Sequence, residues 1–246
     1  MALAVRAVAV NVGANTNEPG FRGPVRPDGS FTFLPIPEAE PTREPVPTYG
    51  DLAPSLDVDL PAAVADTPVH LDPTFASYPQ CEDYTYGDPH PVKAGPLGDL
   101  AAGDYVFFYA TLEVGGDADA DWLPPTWGAF VIGQFRLARE PVTPAGERSG
   151  LTATERGRFA RNAHLRRADF DARVLLSGDP EASRLYDRAV PLSEPDGGTA
   201  ANDLVTDLSS DSGAGPWWRR PLRFEDGEAR QVLERTEAWR SSGPRE

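Results

Sequence analysis

The stretch LGDLAAGDYVFFYATLEVGG, residues 97–116, and its continuation GAFVIGQFRLARE, residues 128–140, decide the fold. Gly103 and Asp104 form a turn signal, and the aromatic and β-branched run from Tyr105 to Val114 then continues without a breaker. An extended chain places Val106, Phe108, Ala110 and Leu112 on one face and Tyr105, Phe107, Tyr109 and Thr111 on the other. Two such runs joined by DADADWLPPTW, residues 117–127, predict an antiparallel pair of strands. The DADAD tip imitates the start of a calcium loop. It has Trp122 at the sixth position and Gly128 at the twelfth, where such a loop needs glycine and glutamate, so it reads as a solvated hairpin tip.

Toward the N-terminus, LAVRAVAVNV (residues 3–12) reads as a buried strand. The loop NVGANTNEPGFRGP, residues 11–24, follows it and holds Gly13, Gly20, Gly23 and a single cation, Arg22. A Pro-Asp-Gly turn at 27–29 precedes the alternation Phe31, Phe33, Ile36, a short strand ended by Pro35 and Pro37. Residues 37–98 are rich in proline and poor in periodicity, and read as ordered loop with one or two short helices.

Toward the C-terminus, LTATERGRFARNAHL opens a helix, because Thr152 and Glu155 have capping-box spacing. ARVLLSG (172–178) reads as a strand, and PEASRLYDRAV (180–190) as a helix opened by Pro180. Residues 194–215 read as a flexible Gly-rich connection to WWRRP, and GEARQVLERTEAW as a terminal helix. The expectation is one α+β domain over 1–246 with a mainly antiparallel, barrel-like sheet, flanking helices and long Pro-rich loops. Its core spans about 99–225, with an N-terminal strand and loop at 1–37 and a covering segment at 38–98.

The chain of 246 residues has net charge -15, and Lys93 is its only lysine. Acidic, arginine-dominated composition resembles proteins of salt-loving microbes, in which repulsion is screened to about 3 Å at molar salt. Cys81, the only cysteine, excludes disulfides and zinc sites built on paired cysteines. No run of about 18 apolar residues occurs, so no transmembrane helix is expected. The apolar start reads as a strand rather than a signal peptide, and a soluble cytoplasmic protein is expected.

The opening loop has neither Gly-x-Gly-x-x-Gly spacing nor a Gly-Lys-Ser/Thr ending, which excludes two common phosphate cradles. Its glycines allow close backbone approach to a ligand, and Arg22 offers a planar fork for phosphate, carboxylate or a base edge. The alternative is a glycine-rich turn with a surface arginine. Of the three histidines, His70, His90 and His164, the second lies two residues from Asp88 in YGDPHP. Asp88 and His90 suit an acid–base pair, or a metal with His164 brought in by folding, although no set of metal ligands is assigned. From Arg148 to Arg173, seven arginines face three acids, which suits a phosphate-bearing partner or pairing within the chain. Trp217 and Trp218, beside Arg219, suit base stacking or closure of a core. Neighbouring residues in an extended segment face opposite ways, so one tryptophan is expected to pack inward.

NVGANTNEPGFRGPVRPDGSFTFLPIPE (11–38), TYGD (85–88), LGDLAAGDYVFFYATL and NAHL (162–165), in that order, resemble the third of the nucleotide modification associated domains. Members of that family have been proposed to take part in base modification in DNA. GDYVFFY (103–109), FVIG (130–133), SRLY (183–186) and AVPLS (189–193) resemble the small PUA-like barrels, which bind RNA or modified bases, and this local likeness underlies the barrel expectation. The resemblance implies a nucleic-acid or nucleotide partner. Asn11, Gly13, Asn15, Arg22, Gly23, Tyr86, Asn162, Trp217, Trp218 and Arg219 are the candidate ligand contacts. Asp88 and His164 are the candidates for proton transfer. No cofactor is assigned, and the need for a metal stays open. An enzyme with Asp88 as general base and Arg22 stabilising developing negative charge is the alternative, and a scaffold protein the third.

Overall fold

The computed structural model describes residues 4–115 and 120–244, so Asp117–Asp119 of the DADAD tip lie outside the described residues. In chain order the elements are β1 (Ala7–Asn11), β2 (Pro24–Val25), α1 (Tyr49–Leu52), β3 (Thr85–Asp88), α2 (Pro91–Gly98), β4 (Tyr105–Val114), β5 (Trp127–Arg136), α3 (Ala153–Arg158) and α4 (Ala163–Arg166). They continue with β6 (Val174–Ser177), β7 (Arg184–Pro191), β8 (Ser193–Glu194), β9 (Gly197–Ala201), α5 (Asp203–Thr206), β10 (Leu222–Phe224) and α6 (Asp226–Ser242). The chain divides into two compact units. The first comprises Met1–Leu34, Asp104–Gln134 and Leu185–Glu246, and the second Pro35–Gly103 and Phe135–Arg184.

The first unit is built on the sheet order β10-β1-β4-β5-β7, with β2 also on β4. Its Ala-Val sequence buries both faces of β1, which therefore sits inside the sheet, antiparallel to β10 and parallel to β4. Phe107 and Tyr109 share one apolar cluster with Ala7, Ala9, Trp217 and Leu222, as residues on one face of β4 should. Ala229, Val232 and Thr236 give α6 a buried stripe at helical spacing; Ala229 and Val232 join the same cluster. In the second unit β3 pairs antiparallel with β6, from Thr85 opposite Ser177 to Asp88 opposite Val174.

The α+β class and a largely antiparallel set of strands agree with expectation. The barrel does not: the sheet runs from β10 to β7 as an open path. PEASRLYDRAV is a turn and strand, not a helix. Asp179 caps the turn by accepting from Glu181 N (3.0 Å) and Ser183 N (2.8 Å), and burial of Tyr186, Ala189 and Val190 on the sheet outweighs their helical spacing. The expected flexible connection is the β8–β9 hairpin plus α5. A two-residue Pro195-Asp196 turn closes the hairpin, Asn202 caps the helix, and Leu204, Val205 and Leu208 enter the core. The Pro-Asp-Gly turn forms, with Gly29 at φ +87°, but the strand after it reduces to a single bridge of Phe31 to Val25. The Thr152–Glu155 capping box starts α3 as expected, and a fresh N-cap at Asn162 starts α4. Among the described residues no helix is long and apolar enough to cross a membrane.

Candidate functional site

Two of the quoted motifs meet inside the second unit. Asn162 opens NAHL by accepting from His164 N (3.1 Å), while its amide donates to Asp72 Oδ1 (3.2 Å). Gly87 of TYGD donates its N–H to Asp72 Oδ2 at 2.8 Å. A Cβ at Gly87 would lie 2.6 Å from His164 Cδ2, so only glycine lets strand and helix approach this closely. One bridge, Pro37 to Val69, brings Glu38 beside His70.

The result is a buried ionic cluster. His70 Nδ1 lies 2.6 Å from Glu38 Oε2, and His164 Nδ1 lies 2.7 Å from Asp171 Oδ1. Asp72 Oδ2 stands 3.4 Å from His164 Nε2 and 3.9 Å from His70 Nε2. The two rings meet edge to face with centroids 4.8 Å apart. Arg167 forks onto Glu38, Nη2 donating to Oε1 at 2.8 Å and Nε to Oε2 at 3.2 Å, and its Nη1 donates to Asp171 Oδ2 at 2.6 Å, the planar bidentate geometry peculiar to arginine.

Burial opposes ionisation of Glu38, but hydrogen bonds from His70 and Arg167 hold its carboxyl at about 2. Burial likewise works against Asp171, and His164 and Arg167 hold it at about 2. Burial would push the His164 imidazole down; its bonds to Asp171 and Asp72 reverse that and hold it up at about 9. Without a bound cation, the stability due to charged His164 is fully present below about pH 6.5 and is lost as pH rises through about 9. The stability due to Glu38 and Asp171 is present above about pH 4.5 and lost as pH falls toward 2. Urea unfolding followed across pH should therefore show its greatest resistance between those limits, and a profile still rising past pH 9 would contradict it.

Asp88, also buried, accepts from Tyr86 Oη (2.6 Å) and His90 N (2.8 Å) and pairs with Lys93 Nζ at 3.3 Å. Burial pushes the Cys81 thiol up to about 12, which keeps it protonated near neutrality. Several arginines of the basic segment are tied within their own unit: Arg148 donates to Leu165 O (2.7 Å), Arg166 to Pro45 O (2.8 Å), and Arg161 pairs with Glu82.

The first unit holds a cavity of about 240 Å³ where the opening loop faces the end of β1. Asn11, Asn15, Arg22, Trp218 and Arg219 line it, together with Thr16, Asn17 and Thr111. The loop is closed on itself by reciprocal backbone bonds between Asn15 and Glu18 (2.9 and 3.0 Å). Gly13, at φ +89°, and Gly23 serve the backbone: a Cβ on Gly23 would stand 2.0 Å from Thr32 O. Arg22 lies over the Trp127 ring at 4.6 Å and donates to Thr111 Oγ1 at 3.3 Å. Burial depresses its guanidinium below the ordinary value, with Glu113 opposing.

Asn11 fixes the far wall, donating to Trp218 O at 2.8 Å, and the Trp218 ring stands edge to face with Trp127 at 5.3 Å. Trp217 is fully buried, and its Nε1–H donates to Thr199 O at 2.9 Å. One tryptophan thus packs inward as expected, through a 3-10 turn rather than an extended segment. Gly13, Gly23 and Trp217 do not line the cavity, and the remaining candidate residues fall into two groups. Asn11, Asn15, Arg22, Trp218 and Arg219 share the first unit's cavity; Tyr86, Asp88, Asn162 and His164 lie in the second unit. Sequence reasoning missed the joining of Glu38, His70, Asp72, Arg167 and Asp171. The one local signal is His70-Leu71-Asp72, whose i, i+2 spacing puts both polar side chains on one side of an extended segment.

The family model described as nucleotide modification associated domain 3 matches residues 6–239, nearly the whole chain. No curated protein and no solved structure matches it.

Proposed function

Because the chain belongs to the nucleotide modification associated domain 3 family, we propose that it is a nucleotide- or nucleic-acid-binding protein associated with base modification. The ligand sits in the cavity of the first unit. The observation that carries this reading is the lining: two arginines, three asparagines, two threonines and a tryptophan, with no carboxylate, in a chain of net charge -15. A cation partly stripped of water, as Arg22 is, gains most from an anion that replaces that water. Phosphate goes to Arg22 and Arg219, a base stacks on Trp218, and Asn15, Thr16 and Asn17 hydrogen-bond its edge. At about 240 Å³ the cavity is smaller than the ~300–1,000 Å³ usual for small-molecule sites, which favours one nucleotide unit, free or in a strand.

The test is binding of labelled mononucleotides, single-stranded and duplex DNA, and RNA in molar potassium chloride, with nucleoside mass spectrometry of the mixtures. Arg22→Ala should raise Kd about 10- to 100-fold, the loss of charge-assisted hydrogen bonds worth ~1.5–3 kcal/mol. Trp218→Ala should cost a stacking-sized ~1–3 kcal/mol. Silence on every ligand at every salt concentration would sink the reading.

An enzymatic role is the second reading, favoured by a buried carboxylate, Asp88, in direct contact with Tyr86 Oη and Lys93 Nζ. Proton transfer there, or at His164, requires that a bound base change in mass, and that Asp88→Asn abolish this change while leaving binding intact.

A further inference from the structure

We infer that the second unit carries a site for a divalent first-row transition-metal ion, held by His70 Nε2, His164 Nε2 and the carboxylate of Asp72. These donor atoms all lie within 4.8 Å of one another, and all three residues are buried. Around a four-coordinate ion with bonds of about 2.0–2.1 Å, neighbouring donor atoms sit roughly 3.3 Å apart. The His164 to Asp72 separation, 3.4 Å, already has that value, and the His70 to Asp72 separation, 3.9 Å, is within a small rotamer adjustment of it. At 3.9 Å the second contact is too long for a hydrogen bond, whereas it suits two donors facing a common ion.

The surroundings are those of a metal centre. Both histidines spend Nδ1 on a carboxylate, Glu38 at 2.6 Å and Asp171 at 2.7 Å. That pairing fixes the tautomer with hydrogen on Nδ1, turns both Nε2 lone pairs toward Asp72 and raises their donor strength. Asp72 is itself held, by Gly87 N at 2.8 Å and the Asn162 amide at 3.2 Å. Arg167 joins the outer carboxylates to each other.

Charge argues the same way. Glu38 and Asp72, both buried, and Asp171, whose side chain is 35% exposed, bring three negative charges and Arg167 one positive, so the cluster with neutral histidines lacks two positive charges. One divalent cation supplies them. Two imidazoles and one carboxylate suit zinc, cobalt or iron(II) rather than calcium or magnesium, which prefer all-oxygen cages. Three protein ligands also leave a position open for water or substrate. The competing arrangement, both rings protonated in place of the ion, is an outcome of the test.

The full chain, free of any polyhistidine tag, is stripped with chelator, dialysed and titrated with cobalt(II). Visible absorption and elemental analysis are then read, and zinc is added to displace the cobalt. One equivalent is expected, with zinc abolishing the colour. Glu38→Gln should weaken uptake about 10- to 100-fold, the usual effect of loosening an outer partner of a ligating histidine. Asp72→Asn should weaken it further. A measurement free of any variant accompanies these: on zinc addition, the 15N signals of two histidine Nε2 atoms should move together at one equivalent. No stoichiometric uptake by the wild-type chain, unmoved histidine signals, or undiminished binding by a folded Asp72→Asn chain would each overturn the site.

Discussion

Arg167→Met lowers the free energy of unfolding by about 3–5 kcal/mol, the usual cost of removing one partner from a buried ionic group. The arginine is buried, and in one side chain it supplies the cation for two carboxylates, Glu38 and Asp171. Methionine fills a similar volume but leaves Glu38, now without its bidentate partner, beside His70. The loss reads as a fall in Tm of about 6–20 °C for a chain of this size. Arg167→Lys should recover only part, since a point charge does not span two carboxylates in fork geometry. A change below 1 kcal/mol in the methionine variant would show that the cluster is wet and weakly coupled.

Trp217→Ala costs about 3–5 kcal/mol, because deleting a fully buried tryptophan removes its transfer energy and leaves a cavity. The side chain is the largest of those fully buried, and packs in the cluster that joins β1, β4, β10 and α6. Its N–H bond to Thr199 O is lost as well, leaving that carbonyl without this donor. The neighbouring Trp218, only partly buried against the same cluster, should cost less stability in urea unfolding than Trp217 when replaced by alanine, while its loss weakens ligand binding. Equal effects of the two variants on stability would contradict the deeper burial of Trp217.

What could be read from the residues, and what could not, follows from where the information lies. β4 was legible because its signal is local: ten residues of unbroken β pattern after a Gly-Asp turn. α6 and the Thr152–Glu155 cap were legible for the same reason. β7 was not, because Leu185 and Ala189 stand four apart and imitate a helical face, and only the neighbouring strand decides between the two. β3 is four residues long and contains glycine and aspartate, too short and too polar to announce itself. In the first unit's cavity, Arg22 and the asparagines were visible because one loop carries them and a family motif marks it. The ionic cluster was not: Arg167 and Glu38 are 129 residues apart, and no spacing rule reaches that far.

The central claim is that the first unit's cavity takes a nucleotide, and the indole N–H signals of the protein test it most directly. The chain has five tryptophans, whose signals are assigned from single Trp→Phe variants, and a mononucleotide is titrated into the wild-type protein in molar potassium chloride. The expected result is that the Trp218 and Trp127 signals shift in a saturable way while Trp239 stays in place, and that Arg22→Ala moves the midpoint of the shift to about 10- to 100-fold higher nucleotide. Signals that stay unmoved up to millimolar nucleotide, or that move only at Trp239, would contradict the assignment of the cavity.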